Sequence, residues 1–469
     1  MVVRALGLAV LAWLSGLSGL GRGDDFEARR IQPWQEDARY WQYQGEPVWL
    51  LGGSDQDNLF NHPDIPPAGL AAHLDTLVAA GGNYVRNTMS SRDAGNLWPH
   101  ARRADGLYDV TEFCEAYWRR FREFLDMTAE RRIIVQIEVF DRFDYARDPW
   151  EVNSFNPKNN ITYTAEEIGL PEEIRTHPGR RESPFFRTVP ELEDNPALLA
   201  FQEAFVAQML SISLNYDHVL YCVSNETNES EHWSGYWARF IRRHAEQAGV
   251  GVEVTEMWDP WDLSDPMHRH TFDHPELYSF VDASQNTHQR GQRHWDNLQR
   301  ARQRIADPPR PLNNVKIYGG TPHGGGLEEG THKLWRNILG GVAAARFHRP
   351  PSGAGLSELA QTHLRSMRLL LAEFDGFAAE PANELLSDRA ENEAYCATVP
   401  GRQYAVYFPN GGAVQLDRSD AAGTWHARWL DIEHSRWSEV QRVEGGRTVR
   451  LATPGEGQWA VLIERTATD

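Results

Sequence analysis

Cysteine is scarce in this chain: three in 469 residues, Cys114, Cys222 and Cys396. None has the C-x-x-C spacing of a thiolate metal site. They are expected as three separate buried thiols, with one disulfide as the alternative. No G-x-G-x-x-G follows the first apolar strand. Gly52-Gly53-Ser54-Asp55 has the wrong spacing, which argues against a dinucleotide site. No G-x-S-x-G elbow is present, which leaves serine esterase chemistry without support. Positive charge is outnumbered, Lys+Arg 47 against Asp+Glu 66, for a formal net charge of -19. Binding to phosphate backbones or anionic lipid needs a basic surface, so nucleic acid and anionic membranes are poor general partners. There is no internal repeat and no low-complexity tract. After the first twenty residues no run is apolar enough to cross about 30 Å of hydrocarbon.

What is present begins with Met1-Val-Val-Arg4 and an apolar run from Ala5 to Leu20, followed by small residues near Gly21–Gly23. A basic residue, a short apolar stretch and small residues describe a secretory signal over 1–23. The mature chain is then expected to begin near Asp24 and to be secreted or periplasmic. No cysteine follows the run, so no lipid anchor is expected after signal removal. The full chain is 41% hydrophobic and 24% charged, the balance of a folded soluble chain with length for one large core and a smaller one.

Between about 46 and 378 short apolar strands alternate with amphipathic helical stripes. Strands are expected at 47–53, 83–89, 133–140, 218–224, 250–257, 278–283, 315–318 and 343–347. Leu70, Leu74, Leu77 and Val78 mark one helix face, and Phe113, Tyr117, Phe121, Phe124 and Leu125 a second. Eight strand–helix units in series predict an α/β fold, a closed (β/α)8 TIM barrel over 24–380; a doubly wound sheet is the runner-up. The polar, proline-bearing segment 142–195 is too long for a simple connection and reads as a lid or cleft wall. From 381 to 469 the texture becomes short strands with the hairpin turn Pro409-Asn410-Gly411-Gly412, a small antiparallel β-sandwich.

In such a barrel the active site lies where the strands end. The strand ends offer Asp55 and Asp57, Arg86 and Asn87, Glu138, Asp141 and Asp144, Asn225 and Glu226, Glu256, Trp258 and Asp259, Asn286 and His288, Lys316, Tyr318 and His323, and Arg346, His348 and Arg349. Acids and aromatics at one mouth are what glycosidic cleavage needs: one carboxyl protonates the leaving oxygen and another stabilises or traps the oxocarbenium centre. Seventeen Trp and fifteen Tyr supply flat faces that suit sugar rings, although Trp also fills large cores. Tyr221-Cys222-Val223-Ser224-Asn225-Glu226 is an apolar strand ending in Asn-Glu. Asn225 can hold a sugar hydroxyl while Glu226 donates a proton; the structural alternative is an N-cap for the next helix. A general acid must be protonated at the start, so burial and a neighbouring carboxylate are expected to raise the Glu226 pKa. The expected substrate-binding set is Asn225, Asp55, Arg86, Asn87, Trp258, His288, Tyr318, Arg346 and His348, with Trp261 beside Trp258 for stacking. Arg346 either binds an acidic sugar or pairs with a buried carboxylate. His268, His270 and His274 sit in an irregular segment and are not expected to hold a metal.

The Asn225-Glu226 pair at strand four resembles that of the large retaining clan of barrel glycosidases. Trp335-Arg-Asn-Ile-Leu-Gly-Gly-Val-Ala343 is similar to the last barrel helix of apiosidase-like glycoside hydrolases. Tyr404-Ala-Val-Tyr407, Trp425-x-x-x-Trp429 and Gln458-Trp459 resemble the small sandwich, often labelled collagen-binding, appended to that family. Across about 46–465 the resemblance implies a glycosidase on a carbohydrate substrate, with Glu226 as acid/base and no metal or other cofactor, and a sandwich that serves as a packing module. One departure stands out. The clan places its nucleophilic Glu at strand seven, where this chain has Asn314-Val-Lys316-Ile-Tyr318 and no acid. The partner carboxylate is then Glu138 or Glu256, or Glu328 or Glu329 from the following loop, or hydrolysis has been lost and the barrel only binds glycans.

Overall fold

The computed structural model describes residues 24–320, 324–419 and 421–466. The expected signal segment 1–23 and His323 lie outside the described residues. Eight parallel strands form one sheet: β1 Leu50–Gly53, β2 Tyr84–Thr88, β3 Ile134–Asp141, β4 Val219–Asn225, β5 Val254–Thr255, β6 Val281–Asp282, β7 Leu312–Ile317 and β8 Ala344–Phe347. Their order is β5-β4-β3-β2-β1-β8-β7-β6. The two end strands are drawn together by Ser279 N donating to Val254 O at 3.0 Å and Thr255 Oγ1 donating to Phe280 O at 2.8 Å. Sequence-adjacent strands are sheet neighbours throughout and β1 pairs with β8, which is the (β/α)8 architecture.

Strands β5 and β6 are shorter than the apolar runs around them. Gly249 (φ +71°) turns the chain just before β5, and past its end Glu256 Oε1 accepts from the backbone N–H groups of Ser224 and Met257 at 2.8 and 2.9 Å. The local donors are thereby spent on a side chain rather than on a ladder. Among the described residues seven long helices wrap the sheet: α1 Pro67–Ala79, α2 Glu115–Glu130, α3 Pro196–Ser213, α4 Glu231–Gln247, α5 Gly291–Arg304, α6 Leu327–Leu339 and α7 Glu358–Leu371. In α2 the buried residues include Tyr117, Phe121, Phe124 and Leu125 of the expected helical stripe, whereas Phe113 ends the strand Tyr108–Phe113 ahead of the helix. Between β5 and β6 only the short turns Pro266–His268 and Arg269–Phe272 occur. Trp41, from a small sheet at 32–48, donates to Asn313 Oδ1 of β7 at 2.9 Å and meets the Phe280 ring edge-on at 5.2 Å.

The 142–195 segment is packed structure. Trp150, Phe155, Phe185 and Phe186 are buried in it, and Tyr145 stacks on Phe185 at 3.9 Å. After residue 380 the strands are antiparallel, in two sheets with a core that includes Val406, Phe408, Trp425 and Ile463. This unit packs on the barrel: Tyr407 stacks on Trp335 of α6 at 5.1 Å, and Gln458 donates to Thr331 Oγ1 at 2.8 Å. The three cysteines are free thiols.

Candidate active site

Glu226 follows the last residue of β4 with a left-handed backbone, φ +51°. For a residue with a Cβ that conformation costs roughly 1 kcal/mol or more and persists only where surroundings impose it. Here strand β7 imposes it. Lys316 Nζ donates to Glu226 Oε1 at 2.7 Å, and the Tyr318 hydroxyl donates to the same oxygen at 3.0 Å. Lys316 also donates to Asn225 Oδ1, while Asn225 Nδ2 donates to Asp141 Oδ2 at 3.0 Å. The Glu226 side chain keeps 14% of its surface exposed and Lys316 only 2%.

The charge state of Glu226 differs from the sequence expectation. Burial pushes its carboxyl up, but Lys316, Arg142 and the Tyr318 hydroxyl outweigh it and hold the group well below the ordinary carboxylate range. No neighbouring carboxylate opposes them strongly enough to reverse the sign. Glu226 is therefore an anion at rest, not a proton donor in waiting. Lys316 stands where a second acid would be expected.

Around this pair lies a lattice of buried ions. Arg86 grips Glu138 with two contacts of 2.6 Å and reaches Asp57 Oδ1 at 2.6 Å. Asp57 also takes Arg349 Nε at 2.5 Å and Arg92 at 3.1 Å; these cations overcome its burial and depress its pKa. Arg92 bonds Asp141 and lies 3.4 Å from Asp144. Burial and the charge of Asp141 push the Asp144 carboxyl up to about 7. Arg142, from the 142–195 segment, bonds Asn228 at 2.9 Å and Asp259 at 2.7 Å. Removing one member of such a buried set leaves its partner uncompensated, which typically costs about 3–5 kcal/mol.

The residues expected from sequence fall into two groups. Glu226, Asn225, Tyr318, His288 and His348 come together at the mouth. The His288 ring meets Tyr318 at 5.3 Å, and Tyr318 meets His348 at 4.8 Å. Trp261, 54% exposed, stacks on His288 at 4.0 Å with 13° between planes, and forms the open end of this aromatic row. Trp258 is buried instead, with its Nε1 on Thr271 Oγ1 at 2.7 Å, so it offers no face to a ligand. Asp55 accepts from Leu356 N at 2.7 Å and Asn87 from Leu59 N at 2.7 Å, which makes both loop fasteners. Arg86 is fully buried within its ion cluster. Arg346 is buried and bonds Val315 O at 2.9 Å and the Ser54 hydroxyl, and among the described residues it makes no ion pair with a carboxylate.

Both expected partner acids are bonded elsewhere. Glu138 is spent on Arg86. Glu256 is fully buried on backbone N–H groups, and burial pushes its carboxyl up to about 8. Glu329 pairs with Arg336 and His332, and Glu328 lies 70% exposed, 3.8 Å from His332. His268, His270 and His274 bond Pro260 O, Glu231 and Glu276 in turn. Among the described residues no group of three or more His, Cys, Asp or Glu could hold a metal ion, and no helix is long and apolar enough to cross a membrane. Sequence reasoning passed over Arg92, Arg142 and Lys333. The composition held a signal for the last: only three lysines occur in the chain.

No protein-family model and no curated protein matches the chain. Solved structures do. A glycoside hydrolase family 5 protein from Bacteroides vulgatus superposes with a TM-score of 0.64 at 13% identity, over 95% of this chain and 96% of the other. A structure described as a glycoside hydrolase gives 0.65 at 11% identity, over 95% and 99%. A GH27 β-L-arabinopyranosidase variant from Geobacillus stearothermophilus, bound to arabinose, gives 0.53 at 10%, over 95% and 100%. At these identities the shared property is the fold: a (β/α)8 barrel followed by a β-sheet region.

Proposed function

We propose that the protein is a secreted glycoside hydrolase of the apiosidase-like kind, cleaving O-glycosidic bonds in a polysaccharide or its side chains. The observation that carries this reading is the partly open Glu226 carboxylate at the end of β4, faced by the Tyr318 hydroxyl and flanked by the aromatic row ending in Trp261. A sugar ring would stack on the face of Trp261 turned away from His288. Because Lys316 keeps Glu226 ionised, its role is that of an anion at the anomeric centre: nucleophile, base toward water, or stabiliser of oxocarbenium charge. Asp259, 31% exposed on the other side of Arg142, replaces Glu138 and Glu256 as the candidate partner. The apolar N-terminal run of the sequence supports export.

One observation favours a second reading, a carbohydrate-binding protein without turnover. Lys316 neutralises the rim carboxylate from the strand that supplies the nucleophile in the clan this sequence resembles. A panel of glycosides separates the two. Hydrolysis predicts released reducing sugar with wild type and a loss of at least about a hundredfold in Glu226→Gln, the scale of a positioned acid or base. Binding by calorimetry with no sugar released supports the second reading. Unchanged turnover by Glu226→Gln refutes the first.

A further inference from the structure

The chain has three lysines, Lys158, Lys316 and Lys333, among 47 basic residues. Elsewhere arginine supplies the cations. Two of the three lysines are buried beside the candidate site. Lys316 is accounted for by Glu226. Lys333 lies on α6, wholly buried, and its ammonium is satisfied by backbone: Nζ donates to Thr287 O at 2.6 Å, Gly324 O at 2.7 Å and Tyr318 O at 3.1 Å. An ammonium has three donors, and here it meets three carbonyls. The planar fork of an arginine does not converge on such a set.

The cradle is built for this group. Gly324 has φ +85°, and a Cβ there would come within 2.9 Å of the Tyr318 carbonyl and 3.0 Å of Lys333 Nζ. The three carbonyls belong to segments that carry the mouth. Thr287 precedes His288, on which Trp261 stacks, and its hydroxyl accepts from Tyr318 N at 2.6 Å. Tyr318 carries the hydroxyl that meets Glu226.

We infer that Lys333 is a positioning residue: its ammonium ties the carbonyls of Thr287, Tyr318 and Gly324 into one unit, so that His288 and Tyr318 are held against Glu226, and the unit loosens when the ammonium gives up its proton. Burial lowers the Lys333 pKa from its usual 10.5 to about 7. The charged groups facing it are Glu329 and Arg336 on α6, Arg290 ahead of α5 and His294 on α5. Glu329 favours the ammonium but is itself paired with Arg336 and His332, while Arg336 and Arg290 oppose the ammonium. Burial keeps the His294 ring neutral. A neutral amine retains two N–H donors and one lone pair, so one of the three carbonyls must then face a lone pair.

Hydrogen exchange on the full chain tests this without any substrate. In Lys333→Met and Lys333→Arg at pH 6, amides of 284–291 and 317–320 should lose about three- to tenfold in protection, the worth of one net hydrogen bond. In wild type, after correction for intrinsic rates, the same segments should lose protection between pH 6 and 8 while α3 does not, and neither variant should show that fall. Wild-type protection in both variants, or a flat pH series in wild type, overturns the inference. If Lys333→Met does not fold, Lys333→Arg and the wild-type series decide. The consequence for catalysis rests on the hydrolase reading: an alkaline limb near pH 7 that disappears in Lys333→Arg. A wild type that cleaves no glycoside sinks that reading and leaves the exchange result standing.

Discussion

The Glu226–Lys316 pair can be weighed by a double-mutant cycle. Lys316→Met removes the ammonium and keeps a linear stem; Glu226→Gln removes the charge and keeps the shape. An exposed ion pair couples by about 0–1 kcal/mol, whereas removing one member of a fully buried pair costs about 3–5 kcal/mol. With side-chain exposures of 14% and 2% this pair sits nearer the buried limit. We expect each single substitution to cost about 3 kcal/mol at pH 7, and the pair to couple by about 2 kcal/mol, because Tyr318 and Arg142 still solvate the carboxylate when Lys316 is gone. The pH dependence has a definite sign. The folded-state pKa of Glu226 is depressed, so its contribution is complete above the unfolded value of about 4.3 and declines as pH falls from there through the folded value. Urea unfolding of the four proteins at pH 7 and pH 3 provides the measurement. Coupling below about 0.5 kcal/mol at pH 7, or coupling that grows in acid, would refute the claim that Lys316 holds Glu226 ionised. In Lys316→Met the burial of Glu226 loses its strongest opponent, so the acid limb of any activity should move up by at least about one pH unit, or 1.4 kcal/mol.

Glu256→Gln should leave turnover within about threefold of wild type, a fraction of a kcal/mol, since Glu256 is fully buried on backbone donors. The same substitution should remove a slope in stability. A folded pKa near 8 means the folded chain holds a proton that the unfolded chain releases, so wild-type stability falls as pH rises from about 4.3 toward 8; melting curves across that window would show it. Arg86→Met should destabilise by about 3–5 kcal/mol in chemical unfolding, because Asp57 and Glu138 lose a shared buried cation. Trp261→Ala should raise KM for an oligosaccharide about three- to tenfold, the worth of an aromatic contact. Its kcat and melting temperature should hold, because the ring is half exposed; an unchanged KM would remove Trp261 from the proposed platform.

Most of the barrel was legible because its signal is periodic. Apolar runs around Ile134–Asp141 and Val219–Asn225 are buried along their whole length, and residues at their ends must reach the mouth whatever their neighbours do. What spacing could not decide was how each polar residue at a strand end is spent. Asp55, Asn87 and Glu256 follow or close strands as Glu226 does, yet each binds a backbone N–H, a use that depends on segments distant in sequence: Leu356, Leu59 and Ser224. Glu226 escapes that fate because β7 presents Lys316 to it and the residue just after β7 presents the Tyr318 hydroxyl. The missing acid at strand seven was visible in the sequence, but the consequence was not. An ammonium in that place helps hold the carboxylate opposite in its ionised form. The rarity of lysine was the readable clue. In a chain that relies mainly on arginine, a compact three-donor cation is kept at 316 and 333, where the acceptors converge on one point and a planar fork would leave them unmet.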